Sequence, residues 1–268
     1  MSEEQDLKNF QEDGYVVWLD LLSQKEVDEL RVEADRIVNW AMQSSVEKGA
    51  WNPRMDVALD EGGATIVRSV NPMLDLSPKI AALAQDARIQ SRVQALLGSE
   101  VILVDEKLNC KIVVESNCGP PNVGSGGWTP HQDWGYLRHV GCPDVAATFV
   151  IVLDDARDRG PIVLFPGSHL MTPAYEDPDP AAISGRIDTG KMQLTRTKEI
   201  TEPPGSVVAF DIRLVHLSKP NPTLRPRRLL IFAFASRKHG ATEATRRDWQ
   251  FQRARAAARF ESPAGSLI

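Results

Sequence analysis

The 268-residue sequence has little cysteine, no long apolar run and no excess of basic residues. Its three cysteines, Cys110, Cys118 and Cys142, are too few and too irregularly spaced for a disulfide framework or a zinc knuckle, so we expect reduced thiols in the core or in loops. No segment approaches the roughly 18 consecutive apolar residues of a membrane span. The acidic start MSEEQDLKNF is not a signal peptide. We therefore expect a cytoplasmic protein without a membrane partner.

The charge balance excludes another class of partner. The 31 Lys and Arg residues against 36 Asp and Glu give a formal net charge of −5 at pH 7. Phosphate binding needs a concentrated excess of basic side chains, so we expect no nucleic-acid partner. Hydrophobic residues make up 42% of the chain, and the 18 Gly and 18 Pro residues are typical of a globular protein rich in turns.

The first third of the chain favours helices. Ser23 is a suitable N-cap for a helix whose apolar residues recur at helical spacing. Those residues are Val27, Leu30, Ala34, Ile37 and Ala41. A second helical segment opens with Ser77 and Pro78 and ends at Gly98, a good C-cap residue. We expect these helices to frame the domain rather than to carry its chemistry.

From Val101 the apolar pattern becomes that of strands. Short β-branched runs between turn residues include VILVD, ATFVIVL, PIVLF, GSVVAF and RRLLIFAFA. They predict a sandwich or jelly-roll barrel. The chain is then one domain over residues 1–268, with a helical framing region over about 1–100, a jelly-roll core over about 101–237 and a C-terminal helix and tail over 238–268. The tail is by default a solvated helix, although a lid or a dimer contact is an alternative. The chain could be a monomer or a homodimer.

The segment WTPHQDWGYLRH contains a possible pair of metal ligands. If a strand runs through HQD, His131 and Asp133 point to one face and Gln132 points away. The pattern alone fits a polar strand end equally well. His216, at the end of the apolar strand GSVVAFDIRLVH, is the best candidate for a third ligand. Two histidines and a carboxylate on one side of a metal are the arrangement of non-haem Fe(II) oxygenases.

A basic residue strengthens this interpretation. Arg227 begins the strongly apolar strand RLLIFAFAS, eleven residues after His216. Its planar fork can bind a carboxylate through two parallel hydrogen bonds, although a solvated strand end is the alternative. Arg225 and Arg228 are near alternatives for this role, and Arg228 should face the other way.

These residues carry a family resemblance. Over about residues 10–236 the sequence resembles the phytanoyl-CoA dioxygenase family of Fe(II)- and 2-oxoglutarate-dependent oxygenases. The shared motifs are FQEDGYVV, LLSQKEVDELRVEA, LLGSEVIL, PHQDWGY, TFVIVLDDARDRGPIVLFPGSHL and HLSKPNPTLRPRR, in that order. The resemblance implies a double-stranded β-helix, which is a jelly-roll, cupin-like core, and mainly β structure with flanking α-helices.

The resemblance also implies roles for individual residues. His131, Asp133 and His216 would bind Fe(II), and Arg227 would hold the distal carboxylate of 2-oxoglutarate. Three further residues match positions around that cosubstrate: Ser218, Lys111 and Phe149. Trp134 and Tyr136 flank the metal motif, where they could wall off water or shape the substrate pocket. His139 and His169 are more suited to pocket, surface or turn positions than to metal binding.

The expected reaction couples O2 and 2-oxoglutarate to oxidation of an unactivated C–H bond of a small organic metabolite, with release of succinate and CO2. The intact Asp133 favours hydroxylation over halogenation, because related halogenases have a small residue there. No basic cluster suggests a coenzyme A phosphate site, which favours natural-product biosynthesis over acyl-CoA hydroxylation. The alternatives are an acyl-CoA or amino-acid-type hydroxylase, a non-catalytic cupin-like metal-binding protein, and a zinc hydrolase.

Two departures from the family pattern stand out. Arg159 replaces the usual Asn before Gly160, which concerns a turn rather than the chemistry. The loop from Gly119 to Gly127 is longer and richer in glycine than the family leads us to expect, so it should alter the rim of the site.

Overall fold

The computed structural model describes residues 2–59, 62–115, 126–177, 179 and 183–260, with side chains as far as residue 251. The helices are α1 (Glu3–Glu12), α2 (Gln24–Lys48), α3 (Pro78–Ala84), α4 (Ala87–Leu97), α5 (Trp134–Leu137) and α6 (Glu243–Phe260). The strands are β1 (Tyr15–Trp18), β2 (Met55–Leu59), β3 (Thr65–Val70), β4 (Val101–Val114), β5 (Trp128–His131), β6 (Ala146–Val152), β7 (Ile162–Leu164), β8 (Lys198–Glu199), β9 (Val207–Asp211), β10 (His216–Ser218) and β11 (Leu229–Ser236).

Two antiparallel sheets form the core. The larger has the order β1-β9-β6-β11-β4-β3-β2, and the smaller has the order β5-β10-β7-β8. Non-consecutive neighbours in both sheets give the crossed connections of a jelly roll. Because side chains alternate along a strand, one face of β6 and β11 packs towards the smaller sheet and the other packs against helices α1–α4. The cavity described below therefore lies on the face of the larger sheet opposite α1–α4.

The caps that the sequence predicts for α2, α3 and α4 are present. Ser23 caps α2 in a reciprocal box with Glu26, and Ser77 caps α3 with Pro78 in the first turn. Gly98 ends α4 in the left-handed conformation that favours glycine. The predicted apolar face of α2 is fully buried against the larger sheet. Burial of that face, more than intrinsic propensity, holds this long helix in place.

The sequence prediction for residues 1–100 is incomplete. The structure contains three strands in this region, β1, β2 and β3, and all three extend the larger sheet. Strands β1 and β2 form its two edges, so the framing region also completes the core. Short strands at a sheet edge have weak alternation, which explains why the helical pattern dominates the sequence there. No helix in the described part of the chain is both long and apolar enough to cross a membrane.

Candidate active site

His131 and His216 face each other across paired strands. β5 and β10 pair antiparallel with His131 opposite His216, and the two ring centroids lie 4.2 Å apart. β5 ends at His131, and Asp133 is the N-cap residue of α5 with helical backbone angles. The expectation that a strand runs through HQD is therefore wrong. A turn, and not strand alternation, brings Asp133 beside His131.

The three side chains converge on one point. The Nε2 atoms of both histidines lie 3.8 Å from the Asp133 Oδ1 atom. One ligand atom from each residue lies within 4.8 Å of the other two. Only 8–12% of each side chain is exposed. Among the residues that the structure describes, this is the single cluster of at least three such side chains that could hold a metal ion.

Backbone carbonyl groups fix the orientation of both imidazole rings. The His131 Nδ1 atom lies 2.7 Å from the Thr129 carbonyl oxygen, and the His216 Nδ1 atom lies 3.0 Å from the Leu214 carbonyl oxygen. A carbonyl can only accept, so each Nδ1 carries the proton and each Nε2 presents a lone pair to the cluster. Burial lowers the pKa of both histidines. Both rings are then neutral at pH 7, which is the form that binds metals.

The Asp133 carboxylate is held in its ionised form. Burial raises its pKa, but the nearby Lys107 cation and the hydrogen bond from Thr148 help to lower it by more than that, so the net pKa lies below the ordinary value of 3.8. The Thr148 Oγ1 atom donates a 2.7 Å hydrogen bond to Asp133 Oδ2, which leaves Oδ1 facing the histidines. Thr148 thus orients the carboxylate, a role that the sequence analysis missed.

The remaining polar residues of the motif lie outside the cluster. The Gln132 amide donates to the Arg213 carbonyl oxygen and accepts from the Tyr175 hydroxyl, so its side chain is used for packing. His169 is buried, with Nε2 3.2 Å from the Gln11 carbonyl oxygen. His139 contacts its neighbour Arg138. None of the three belongs to the metal-ligand cluster.

Arg227 is a fully buried cation with incomplete hydrogen bonding. Its Nη2 atom donates to Ser218 Oγ at 3.0 Å, whereas Nε and Nη1 are buried with no hydrogen-bond partner among the described residues. No carboxylate of the described residues lies within 4.0 Å of its guanidinium group. Burial lowers the Arg227 pKa to about 10, so the group stays charged at neutral pH. An uncompensated buried cation is costly, and a bound carboxylate would supply the missing acceptors.

Lys111 reaches the same hydroxyl group as Arg227, that of Ser218, from a β-bulge. Cys110 and Lys111 together oppose the single residue Arg68 between β4 and β3, and Lys111 has a φ of 39°. Its Nζ atom donates to Ser218 Oγ at 2.8 Å and to the Lys219 carbonyl oxygen. Burial and the neighbouring Arg227 lower its pKa to about 5. Ser218, two residues after His216 on β10, therefore links both basic side chains to the metal cluster.

Phe149 lies on the opposite side of the larger sheet. Its ring stacks on Trp18 with centroids 5.7 Å apart and meets Phe234 edge-on at 5.6 Å, within the core that the helices cover. Its neighbour Thr148 faces the metal cluster instead. This position corrects the expectation that Phe149 contacts the cosubstrate, because strand alternation directs residues 148 and 149 to opposite faces.

The metal cluster opens into a cavity of about 190 Å³. Tyr136 lines this cavity and lies edge-on to His131. Trp134 does not line this cavity. Its side chain is partly buried against a smaller, separate hydrophobic cluster, and the Arg138 guanidinium carbon lies 5.7 Å from the centroid of its ring. Trp249 of α6 does line the cavity and is 8% exposed. The default expectation of a solvated C-terminal helix is therefore wrong at this residue.

Of the long loop predicted over Gly119–Gly127, the described residues include only Gly126 and Gly127, and Cys118 also lies outside the described residues. The Gly127 carbonyl oxygen accepts a 2.8 Å hydrogen bond from Arg68, which also lies over the Trp128 ring. Cys110 and Cys142 are buried free thiols, as the sequence predicts.

The donor set fits the expected metal and cosubstrate. Two neutral imidazoles and one carboxylate suit Fe(II), and the buried Arg227 with two unpartnered N–H groups suits a carboxylate beside it. A jelly roll with these features defines a non-haem iron, 2-oxoglutarate-dependent oxygenase. The phytanoyl-CoA dioxygenase (PhyH) profile matches residues 10–229, and the chain belongs to that family.

Curated relatives have the same kind of activity. The ectoine dioxygenase of Sphingopyxis alaskensis is 30% identical over 235 residues, which cover 81% of this chain and 71% of the relative. The L-proline trans-4-hydroxylase of Streptomyces griseoviridis is 26% identical over 218 residues, with 72% and 76% coverage. The predicted class of enzyme, a non-haem iron 2-oxoglutarate-dependent dioxygenase, is confirmed.

Solved structures confirm the predicted fold. The structure of EctD from S. alaskensis with 2-oxoglutarate and 5-hydroxyectoine has a TM-score of 0.66 at 25% identity, covering 89% of this chain and 77% of that chain. The epimerase SnoN in complex with Fe3+, alpha ketoglutarate and nogalamycin RO has a TM-score of 0.66 at 22% identity, with 87% and 83% coverage. The expected cofactors, iron and 2-oxoglutarate, are likewise confirmed.

Proposed function

We propose that this chain hydroxylates a small organic metabolite at a cavity where His131, Asp133 and His216 hold Fe(II). Arg227 and Ser218 bind the distal carboxylate of 2-oxoglutarate, and Lys111 supports Ser218. The observation that carries this assignment is the buried Arg227 guanidinium, whose Nε and Nη1 atoms have no partner. Its remaining bond to Ser218 ties that cation to the strand that carries His216.

Bound iron and 2-oxoglutarate supply the oxidation of a C–H bond by O2, with succinate and CO2 as the other products. The protein supplies position and a dry environment. The carbonyl oxygens of Thr129 and Leu214 hold the imidazole rings, and Thr148 holds the carboxylate. Apolar side chains of Ile231, Phe210 and Trp249 restrict water around them.

The size of the cavity favours a small substrate. Its volume of about 190 Å³ is below the roughly 300–1,000 Å³ that is usual for drug-sized ligands. An acyl-CoA substrate is therefore disfavoured. Natural-product biosynthesis, which the sequence favours, stays a prediction. A second candidate, an amino-acid-type hydroxylase, is favoured by the charged side chains Asp105 and Lys107 in the cavity wall.

The test is 2-oxoglutarate-dependent succinate formation by Fe(II)-loaded protein, measured with and without a metabolite panel. We expect at least one metabolite to stimulate succinate formation and to be consumed with it. The variant Asp133→Ala should lose this activity, whereas His139→Ala, which removes a histidine outside the cluster, should keep it. Full iron loading without succinate would indicate a non-catalytic binding protein. Turnover with zinc in the absence of O2 would indicate a hydrolase and contradict the proposal.

A further inference from the structure

We propose that Lys107 and Asp105 bind a substrate that carries both a negative and a positive charge, an amino-acid-like zwitterion, beside the iron ligands. The inference rests on the proposed function and names the substrate class of that same site. Lys107 binds the carboxylate of the substrate, and Asp105, its neighbour on the same face of the strand, binds the ammonium or other cationic group.

The three side chains share one face of β4. Asp105, Lys107 and Asn109 occupy alternate positions, and all three line the cavity that contains the metal cluster. Leu108 and Cys110 lie in the core on the opposite face. Consecutive positions on one face of a strand are roughly 7 Å apart. A single small molecule can therefore span Lys107 and either of its polar neighbours.

Lys107 is a cation with no hydrogen-bond or ion-pair partner among the residues that the structure describes. Among the described residues, no carboxylate lies within 4.0 Å of its Nζ atom, and the group donates no hydrogen bond. Of the other basic side chains around the site, Arg68 pairs with Asp56 at 2.8 Å, Lys111 donates to Ser218, and Arg227 is assigned to the cosubstrate. Lys107 also lines the cavity that contains the metal cluster. A substrate carboxylate bound to Lys107 would thus lie in the same cavity as the metal.

Two acceptors flank this cation. The Asp105 carboxylate is 8% exposed and accepts one hydrogen bond from the Asn71 amide, at 3.0 Å, but no cation of the described residues pairs with it. Asn109 is 5% exposed, and its Oδ1 atom is buried without a hydrogen-bond donor. A buried acceptor left unpaired is unfavourable. A cationic group of a substrate bound at Lys107 compensates the Asp105 carboxylate, and Asn109 offers a further acceptor on the other side of Lys107.

A substrate with one charge or none fits this wall poorly. A neutral apolar molecule would displace water from Lys107 and Asp105 without replacing it, which is unfavourable for both charged groups. A simple anion would satisfy Lys107 but crowd the Asp105 carboxylate two residues away. A zwitterion compensates both charges, and its compact size suits a cavity of about 190 Å³.

The test compares matched probes that differ only in charge. Common amino acids and ectoine are assayed for stimulated succinate formation, together with N-acetyl and amide derivatives of the amino acids, which each lack one charge. We expect a zwitterion to give the highest kcat/KM and its singly charged derivatives to be at least roughly tenfold poorer. A derivative that is turned over as well as its parent would overturn the proposal, as would a panel in which no zwitterion stimulates turnover.

Variants then assign the effect to Lys107. Lys107→Met should lower kcat/KM for the best zwitterion by roughly ten- to a hundredfold, mainly through KM, and Lys107→Arg should restore most of it. Lys191→Met removes an exposed lysine outside the cavity and should have no effect. An unchanged kcat/KM in Lys107→Met would contradict the proposal. If the proposal fails in any of these ways, the spectrum of wild-type protein with Fe(II) and 2-oxoglutarate decides whether the proposed function fails with it. A visible charge-transfer band would leave the proposed function intact, whereas absence of the band would count against the proposed function itself.

Discussion

His131 and His216 are direct partners across β5 and β10, and their Nε2 atoms are equidistant, at 3.8 Å, from the Asp133 Oδ1 atom. The pairing of two strands therefore sets the separation of the two imidazoles. Asp133, in contrast, stands at the start of a short helix, where strand pairing does not fix it. Its orientation depends on the hydrogen bond from Thr148.

The variant Thr148→Val should weaken iron binding. Valine has a similar shape but removes the donor to Asp133 Oδ2, so the carboxylate gains freedom to rotate away from the histidines. Loss of such a supporting contact typically lowers metal affinity by roughly 10–100-fold. Anaerobic titration with Fe(II) measures the effect, and Thr148→Ser, which keeps the hydroxyl, should retain most of the affinity. Equal affinities for wild type and Thr148→Val would contradict this role.

The variant Arg227→Lys should raise the KM for 2-oxoglutarate by roughly 10–100-fold, because an ammonium group cannot form the two parallel hydrogen bonds of a guanidinium. Iron affinity should change little, since Arg227 contacts no ligand of the metal cluster. The matched control is Arg228→Lys, because Arg228 faces the other way and binds Asp154 and Asp35. If both variants had the wild-type KM, 2-oxoglutarate would not bind at Arg227.

Motif order and the family resemblance made much of this site predictable. The resemblance assigned Ser218 and Arg227 to the cosubstrate, whereas the strand pattern alone left a solvated end open for Arg227. The bulge that directs Lys111 inward was not predictable, because it arises from a register difference between β3 and β4. The prediction for Phe149 failed without any such irregularity, because a difference of one residue along β6 moves a side chain to the other face of the sheet.

Glu106 should make the stability of the protein depend on pH. This carboxyl is 2% exposed; burial and neighbouring Asp105 raise its pKa from 4.5 to about 7, although Arg246 opposes the shift. Between these values the folded state holds a proton that the unfolded state has lost. The contribution of Glu106 to the free energy of unfolding is complete below pH 4.5 and falls as pH rises to about 7, by up to roughly 3 kcal/mol.

Urea unfolding of wild type and Glu106→Gln across this range isolates the effect, because glutamine does not titrate. The free energy of unfolding of wild type, minus that of the variant, should decrease from pH 4.5 to about 7 and then level off. A difference that does not vary with pH would show that Glu106 titrates normally.

Truncating Trp249 should enlarge the cavity from the side of α6. Trp249→Ala is expected to lower the free energy of unfolding by roughly 3 kcal/mol and to admit water, so that less succinate formation is coupled to substrate oxidation. The ratio of oxidised substrate to succinate measures this. Phe251→Ala, on the same helix but 61% exposed, should change neither quantity appreciably. An unchanged ratio in Trp249→Ala would exclude α6 as a functional wall.

The role of Trp249 could not be predicted from its own segment. The C-terminal helix is rich in basic and polar residues, and its pattern alone indicates a solvated surface. Its packing depends on a satellite core formed with Ile102, Val104 and Leu137, residues that are distant in sequence. Lys107 was missed for a similar reason, because a lysine on a strand is unremarkable until the face it occupies and the absence of a counter-ion among the described residues are known.

The most direct test of the account is anaerobic titration of Fe(II)-loaded protein with 2-oxoglutarate, followed by visible absorption. If His131, Asp133 and His216 hold iron and Arg227 holds the cosubstrate beside it, a weak charge-transfer band should appear and saturate with one equivalent of iron per chain. The band should require a far higher 2-oxoglutarate concentration in Arg227→Lys. Fully metallated wild-type protein that develops no band would contradict the assignment of this site.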